Sequence, residues 1–148
     1  MAAAGGHCDG GGMAGMATAD LHDDCEACLD MANASERLDA AGAHRQTVRL
    51  KNGVMLVYTA DSPAHVSAVQ AAIASRNEHL AHYVAVGDKV RLCNGCKAIR
   101  GAIASGKLNR EVVNIQGGVL TLLTSSDPAI VTKIHEMTDQ KVAARLKS

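Results

Sequence analysis

The chain says nearly the same thing twice. With a constant offset of 65 residues, Arg45 recurs as Arg110, Val48 as Val113, Gly53 as Gly118 and Val54 as Val119; then Thr59 recurs as Thr124, Pro63 as Pro128, Ala64 as Ala129 and Val66 as Val131. Two Cys-x-x-Cys pairs repeat too, Cys25 with Cys28 and Cys93 with Cys96, the second copy being three residues shorter between its cysteines and the following apolar stretch. A repeat of this length restricts the chain to architectures built from two like units. The expected division is a Gly/Ala/Met-rich tail at 1–20, a first unit at 21–88 and a second at 89–148.

Each unit has a legible order. Met31, Ala34 and Leu38 follow Cys28 at helical spacing, as Ile99 and Ile103 follow Cys96, so each cysteine pair stands at or just before a helix N-terminus. Alternation then takes over. Val48 and Leu50 lead to a turn at Asn52-Gly53, followed by Val54, Leu56 and Tyr58; the second copy runs Val113, Ile115, a turn at Gly117-Gly118, then Val119, Thr121 and Leu123. Both read as hairpins. Ser62-Pro63 and Asp127-Pro128 each open a further helix, with the polar residue as cap and proline in the first helical position. These helices turn Val66, Val69, Ile73 and Leu80 inward in the first unit, and Ile130, Val131, Ile134, Met137 and Val142 in the second. A strand at 84–92 is expected to link the units. The fold class is therefore α+β, a duplicated helix-hairpin-helix unit whose antiparallel sheet carries helices on one face. A lone hairpin is marginal, so the two should share one sheet about a pseudo-two-fold axis.

Composition narrows the function. At 148 residues, 47% hydrophobic and 20% charged, the chain can bury a core without help. Fifteen basic residues balance fifteen acidic ones, which leaves no net field for nucleic acid or an anionic membrane. Phe and Trp are absent, so base-stacking platforms are excluded as a main function. No apolar run reaches the length of a membrane span. The tail lacks the marks of a secretory signal, so the reading allows a cytoplasmic protein or a mature periplasmic or secreted form.

The chemistry lies in the cysteines. Thiolates are soft ligands suited to Cu(I), Zn(II) and Fe–S clusters, and a helix N-terminus favours the thiolate. Two pairs placed alike point to metal binding by Cys25, Cys28, Cys93 and Cys96. Convergence of the pairs would give a closed tetrahedral site for a structural zinc. Separate pairs would give two open sites fit to carry Cu(I) and pass it between a metal-donor and a metal-acceptor protein. The alternative is a thiol-disulfide oxidoreductase using Cys93 and Cys96, flanked by Arg91 and Lys97, whose charges favour thiolates; Asp23, Asp24 and Glu26 beside the first pair disfavour them. No phosphate loop, nucleophile elbow or metalloprotease signature points to another enzyme.

Histidines add candidate ligands. His79 and His82 stand three apart on one helix, and His65 lies in its first turn, where a zinc knuckle places a third ligand. His22 precedes Cys25, and His7, Cys8, Met13 and Met16 give the tail soft ligands. His44 and His135 read as surface residues.

The stretch Cys25-Glu26-Ala27-Cys28, a helix, Gly42 and then residues 48–58, followed by Cys93-Asn94-Gly95-Cys96 and a similar run, resembles the heavy-metal-associated domain, a ferredoxin-like fold of copper chaperones and mercury-binding proteins. The two-unit layout is also similar to the copper-delivering NosL lipoproteins. Both resemblances imply soft-metal handling.

Overall fold

A computed structural model describes residues 24–147. The tail at 1–20 with His7, Cys8, Met13 and Met16, together with His22, lies outside the described residues, as does the side chain of Val142.

The described chain is α+β, with four α-helices and one four-stranded antiparallel sheet. In chain order these are α1 (Glu26–Ala40), β1 (His44–Leu50), β2 (Gly53–Thr59), α2 (Pro63–Val86), a 3₁₀ turn at Gly87–Lys89, α3 (Asn94–Ala104), β3 (Asn109–Ile115), β4 (Gly118–Thr124) and α4 (Pro128–Lys147). Ser62 Oγ accepts the His65 N–H at the start of α2, and Asp127 Oδ1 accepts the Ala129 N–H at the start of α4. The expected caps are therefore in place, each ahead of a proline.

Two expectations are corrected. Residues 84–92 form no strand: α2 runs on to Val86, and the 3₁₀ turn follows. Leu80, Tyr83 and Val86 continue the helical spacing and pack toward the cysteines, so their tertiary contacts override the β-branched run that suggested extension. The hairpin turns also fall one residue early, at Lys51-Asn52 and Gln116-Gly117, because Leu50 pairs with Gly53 and Ile115 with Gly118.

The strand order is β1-β2-β4-β3, so the middle of the sheet is the join between β2 and β4. There Gly53 faces Thr124, Leu56 faces Thr121 and Thr59 faces Gly118. Leu56 and Thr121 are themselves 65 residues apart, so the join is symmetric about that pair: Gly53 facing Thr124 recurs, counterpart for counterpart, as Gly118 facing Thr59. Loop contacts follow the same rule: the Ala60 N–H reaches Gly117 O at 3.1 Å, and the Ser125 N–H reaches Asn52 O at 2.9 Å. Close approach at the join demands glycine at both ends. A Cβ on Gly53 would stand 1.8 Å from Leu123 O, and one on Gly118 would stand 1.9 Å from Tyr58 O.

One sheet face carries the core. Val119 packs with Leu38 and Ala41 of the first helix segment and with Val69, Ala72 and Ile73 of α2; Val54 packs with Leu108 and with Ile134 of α4. Directly opposed residues share a face. Val48, opposite Met55, and Val113, opposite Leu120, therefore point to the other side, which is half-buried to exposed. The edge strands instead send Arg45 and Arg110 toward the helices.

Candidate metal centre

The two Cys-x-x-Cys pairs occupy matching places. Cys25 caps α1 and Cys28 lies in its first turn; Cys93 caps α3 and Cys96 lies in its first turn. In both, the first cysteine's carbonyl starts the helical ladder, accepting from Leu29 N–H in one and Lys97 N–H in the other. Two helix N-termini thus meet head to head, and their exposed N–H groups and dipoles favour negative charge between them.

The four Sγ atoms all lie within 4.8 Å of one another, and no cysteine in the group is more than 8% exposed. The Sγ atoms of Cys28 and Cys93 are 3.9 Å apart, against about 2.05 Å in a disulfide bond. A tetrahedron of Zn–S bonds of about 2.3 Å has edges of about 3.8 Å. The cluster can therefore hold one ion with little movement. Iron–sulfur clusters spread their cysteines over several irons, which calls for a wider spacing.

The surroundings fix this geometry. The Glu26 N–H donates to Arg91 O at 2.9 Å, and the Cys93 N–H donates to Cys25 Sγ at 3.3 Å, stitching one cysteine loop to the other. Tyr83 and Val90 are buried against the sulfurs, with Leu80, Val86 and Leu92 around them. Burial, aided by the Asp30 carboxylate, raises the Tyr83 phenol above its ordinary value, and its hydroxyl donates to Glu26 O at 3.4 Å.

Acidity is set by contacts rather than by sequence neighbours. The Cys25 thiol comes down from 9.0 to about 6, chiefly through its hydrogen bond with Cys96 and then through the backbone N–H groups of Cys93, Cys28 and Ala27, which together outweigh burial. The acidic neighbours of the first pair pointed the other way. A sulfur contact and three N–H donors at short range outweigh charges that solvent screens.

The histidines stand outside the sulfur group. His65, His79 and His82 are all exposed. His79 Nδ1 is bonded to Asp30, which also accepts from Arg76 Nη1 at 2.6 Å. The His82 ring meets Tyr83 edge-on, with centroids 6.1 Å apart. His65 begins a 24-residue helix whose far end holds Tyr83, about 27 Å away along the axis. His44 pairs with Asp61 at 3.0 Å, both exposed. His135 departs from the surface placement expected of it. Its half-buried Nε2 lies 2.9 Å from Leu50 O and 2.8 Å from Gly53 O.

Comparison of the chain with protein families, with curated proteins and with solved structures found no match. Among the described residues, no helix is long and apolar enough to cross a membrane.

Proposed function

We propose that the protein binds a soft metal ion, a single Zn(II) held by Cys25, Cys28, Cys93 and Cys96, and that this ion is a permanent part of its architecture. The observation that carries the reading is the mutual approach of four buried sulfurs within 4.8 Å. Four thiolates closing a tetrahedron leave no open position for a substrate or for a partner's ligand. Burial on all sides favours retention over delivery, so carriage of Cu(I) between proteins is the less supported form of soft-metal handling. A likeness to heavy-metal-associated domains then consists in the cysteine pair at a helix start and not in metal transfer.

In the same reading the chain is a duplicated helix-hairpin-helix unit and the metal is its second seam. The first seam is the β2–β4 join. The second fastens α1 to α3 at their N-termini, where the Glu26 N–H to Arg91 O bond and the cysteine contacts connect the loops. Support comes from the way each backbone contact at the join recurs between the counterparts of its two residues.

The test is elemental analysis of anaerobically purified protein with a free-thiol count. One zinc per chain, lost when all four cysteines become serine, is expected. Copper in place of zinc, or unchanged metal content in the serine variant, would overturn the assignment.

A further inference from the structure

A second site lies between the helices and the sheet. Four arginines from four different elements, Arg45 of β1, Arg76 of α2, Arg100 of α3 and Arg110 of β3, line one cavity of about 170 Å³. Its remaining walls are largely apolar, with Leu56, Ile73 and Leu123 among them. Arginine is rarely placed inside a protein without a counter-charge, because desolvating it is costly unless an anion or several acceptors replace the water.

Arg76, Arg45 and Arg110 differ in how that compensation is met. Asp30 bonds Arg76, and Arg45 Nη2 donates to the exposed Asp39 at 2.6 Å and to Ser35 O at 3.2 Å. Arg110 Nη1 donates to Asn77 Oδ1, a neutral acceptor. Burial and the neighbouring Arg76 charge bring its guanidinium down from 12.5 to about 10. Arg45 Nε is buried with no hydrogen-bond partner among the described residues. A buried donor left over at Arg45 and repelling cations at Arg76 and Arg110, on an apolar wall, describe half of a binding site.

We infer that this cavity binds a small organic anion, a carboxylate on a compact apolar body, with the arginines taking the carboxylate and the leucine and isoleucine walls taking the body. The guanidinium fork matches a carboxylate in two parallel hydrogen bonds. Size limits the body: an apolar cavity of about 150 Å³ takes up benzene, so the volume here suits a single ring or a short branched chain. An inorganic oxyanion would satisfy the arginines and leave the apolar walls without contacts. The inference does not depend on the identity of the metal.

Calorimetric titration of the full chain as purified, with benzoate, benzyl alcohol and inorganic phosphate as probes, tests it. Benzoate should saturate at one per chain, and Arg110→Gln or Arg45→Gln should each weaken it about tenfold, the effect of one charge-assisted hydrogen bond. Thr121→Leu keeps every arginine and fills the cavity, so it should abolish binding even where an arginine variant does not fold. Failure of benzoate to bind, equal binding of benzyl alcohol, or a preference for phosphate would each overturn the inference.

Discussion

Gln70 and His135, on two different helices and 65 residues apart, hold the two hairpin turns in the same way. Gln70 Nε2 donates to Ile115 O and Gly118 O at 3.2 and 2.8 Å, and His135 Nε2 makes the matching contacts to Leu50 O and Gly53 O. Each helix therefore fastens the hairpin that it does not follow in sequence. A carbonyl can only accept, so Nε2 of His135 carries a proton and the ring serves as a neutral or charged donor alike.

If the task is donation to two carbonyls, His135→Gln should be nearly silent and His135→Ala should cost about 1–2 kcal/mol. Urea denaturation of the two variants measures the difference. Equal losses would show that the ring's packing, and not its donor, matters.

The glycines at the central join predict a larger effect. Gly53→Ala and Gly118→Ala each place a Cβ under 2 Å from a carbonyl oxygen of the facing strand, so both should part β2 from β4 and cost more than about 2 kcal/mol. Thermal unfolding followed by circular dichroism should show the two losses to be similar, since the contacts that they break are counterparts.

Removing the metal should loosen the helix starts. Four buried thiolates without an ion repel one another and lose the bond that compensates their desolvation. A chelator strong enough to strip zinc should lower Tm by on the order of 10 °C. Restoration by one equivalent of zinc, read in the same melt, would complete the observation, and an unchanged Tm would contradict a structural role.

In metal-free protein, Cys25 predicts the pH dependence. Its folded-state value near 6 lies below the ordinary 9.0, so the folded state releases this proton more readily than the unfolded one. Its contribution is full above pH 9, declines as pH falls and is gone below about 6. Stability of the chelated protein should therefore rise across that window, and Cys25→Ser should flatten the rise. A flat profile for the unsubstituted chain would refute the assignment of the low value to Cys25.

Asp30 is the most exacting of the ion pairs. Its side chain is 11% exposed, Arg76's is 15% exposed, and His79 shares the carboxylate. Asp30→Asn leaves a largely buried guanidinium without its counter-charge and should cost about 3 kcal/mol. Asp61→Asn, at an exposed histidine pair, should cost under about 0.5 kcal/mol. Denaturant midpoints of the two variants provide the comparison.

The elements were legible because their signals are local. Prolines 63 and 128 with their caps, the helical spacing after each cysteine pair and the alternation in Val54, Leu56 and Tyr58 all act within a few residues. Convergence of the cysteines was not legible. It depends on β2 and β4 meeting in one register and on where α2 ends, and both are fixed by contacts far apart in the chain. Val84 and Val86 suggest a strand by their β-branching, and none forms because β propensity is weak beside packing against a buried Tyr83. Arg45 and Arg110 do not read as core-facing residues for a related reason. Charge suggests solvent, and only the pairing of Arg45 with Tyr58 and Arg110 with Leu123 reveals which way they point. The offset itself could have coupled His135 to Gln70, but histidine and glutamine look unalike until one asks what each can donate.

The register of the central join has a further consequence. Gly53 meets Thr124, and Thr59 meets Gly118, so the pairing is palindromic: β2 offers β4 the same order of donors and acceptors that it receives. An edge that fits its own counterpart within one molecule also fits it in another. At high concentration, β2 of one chain can take β4 of a second with every hydrogen bond kept, and only the segment between α2 and α3 need straighten. Strand exchange of this kind keeps the contacts of the join, and what it gives up lies in the connection, where Val90 packs on the sulfurs and Arg91 O accepts the Glu26 N–H.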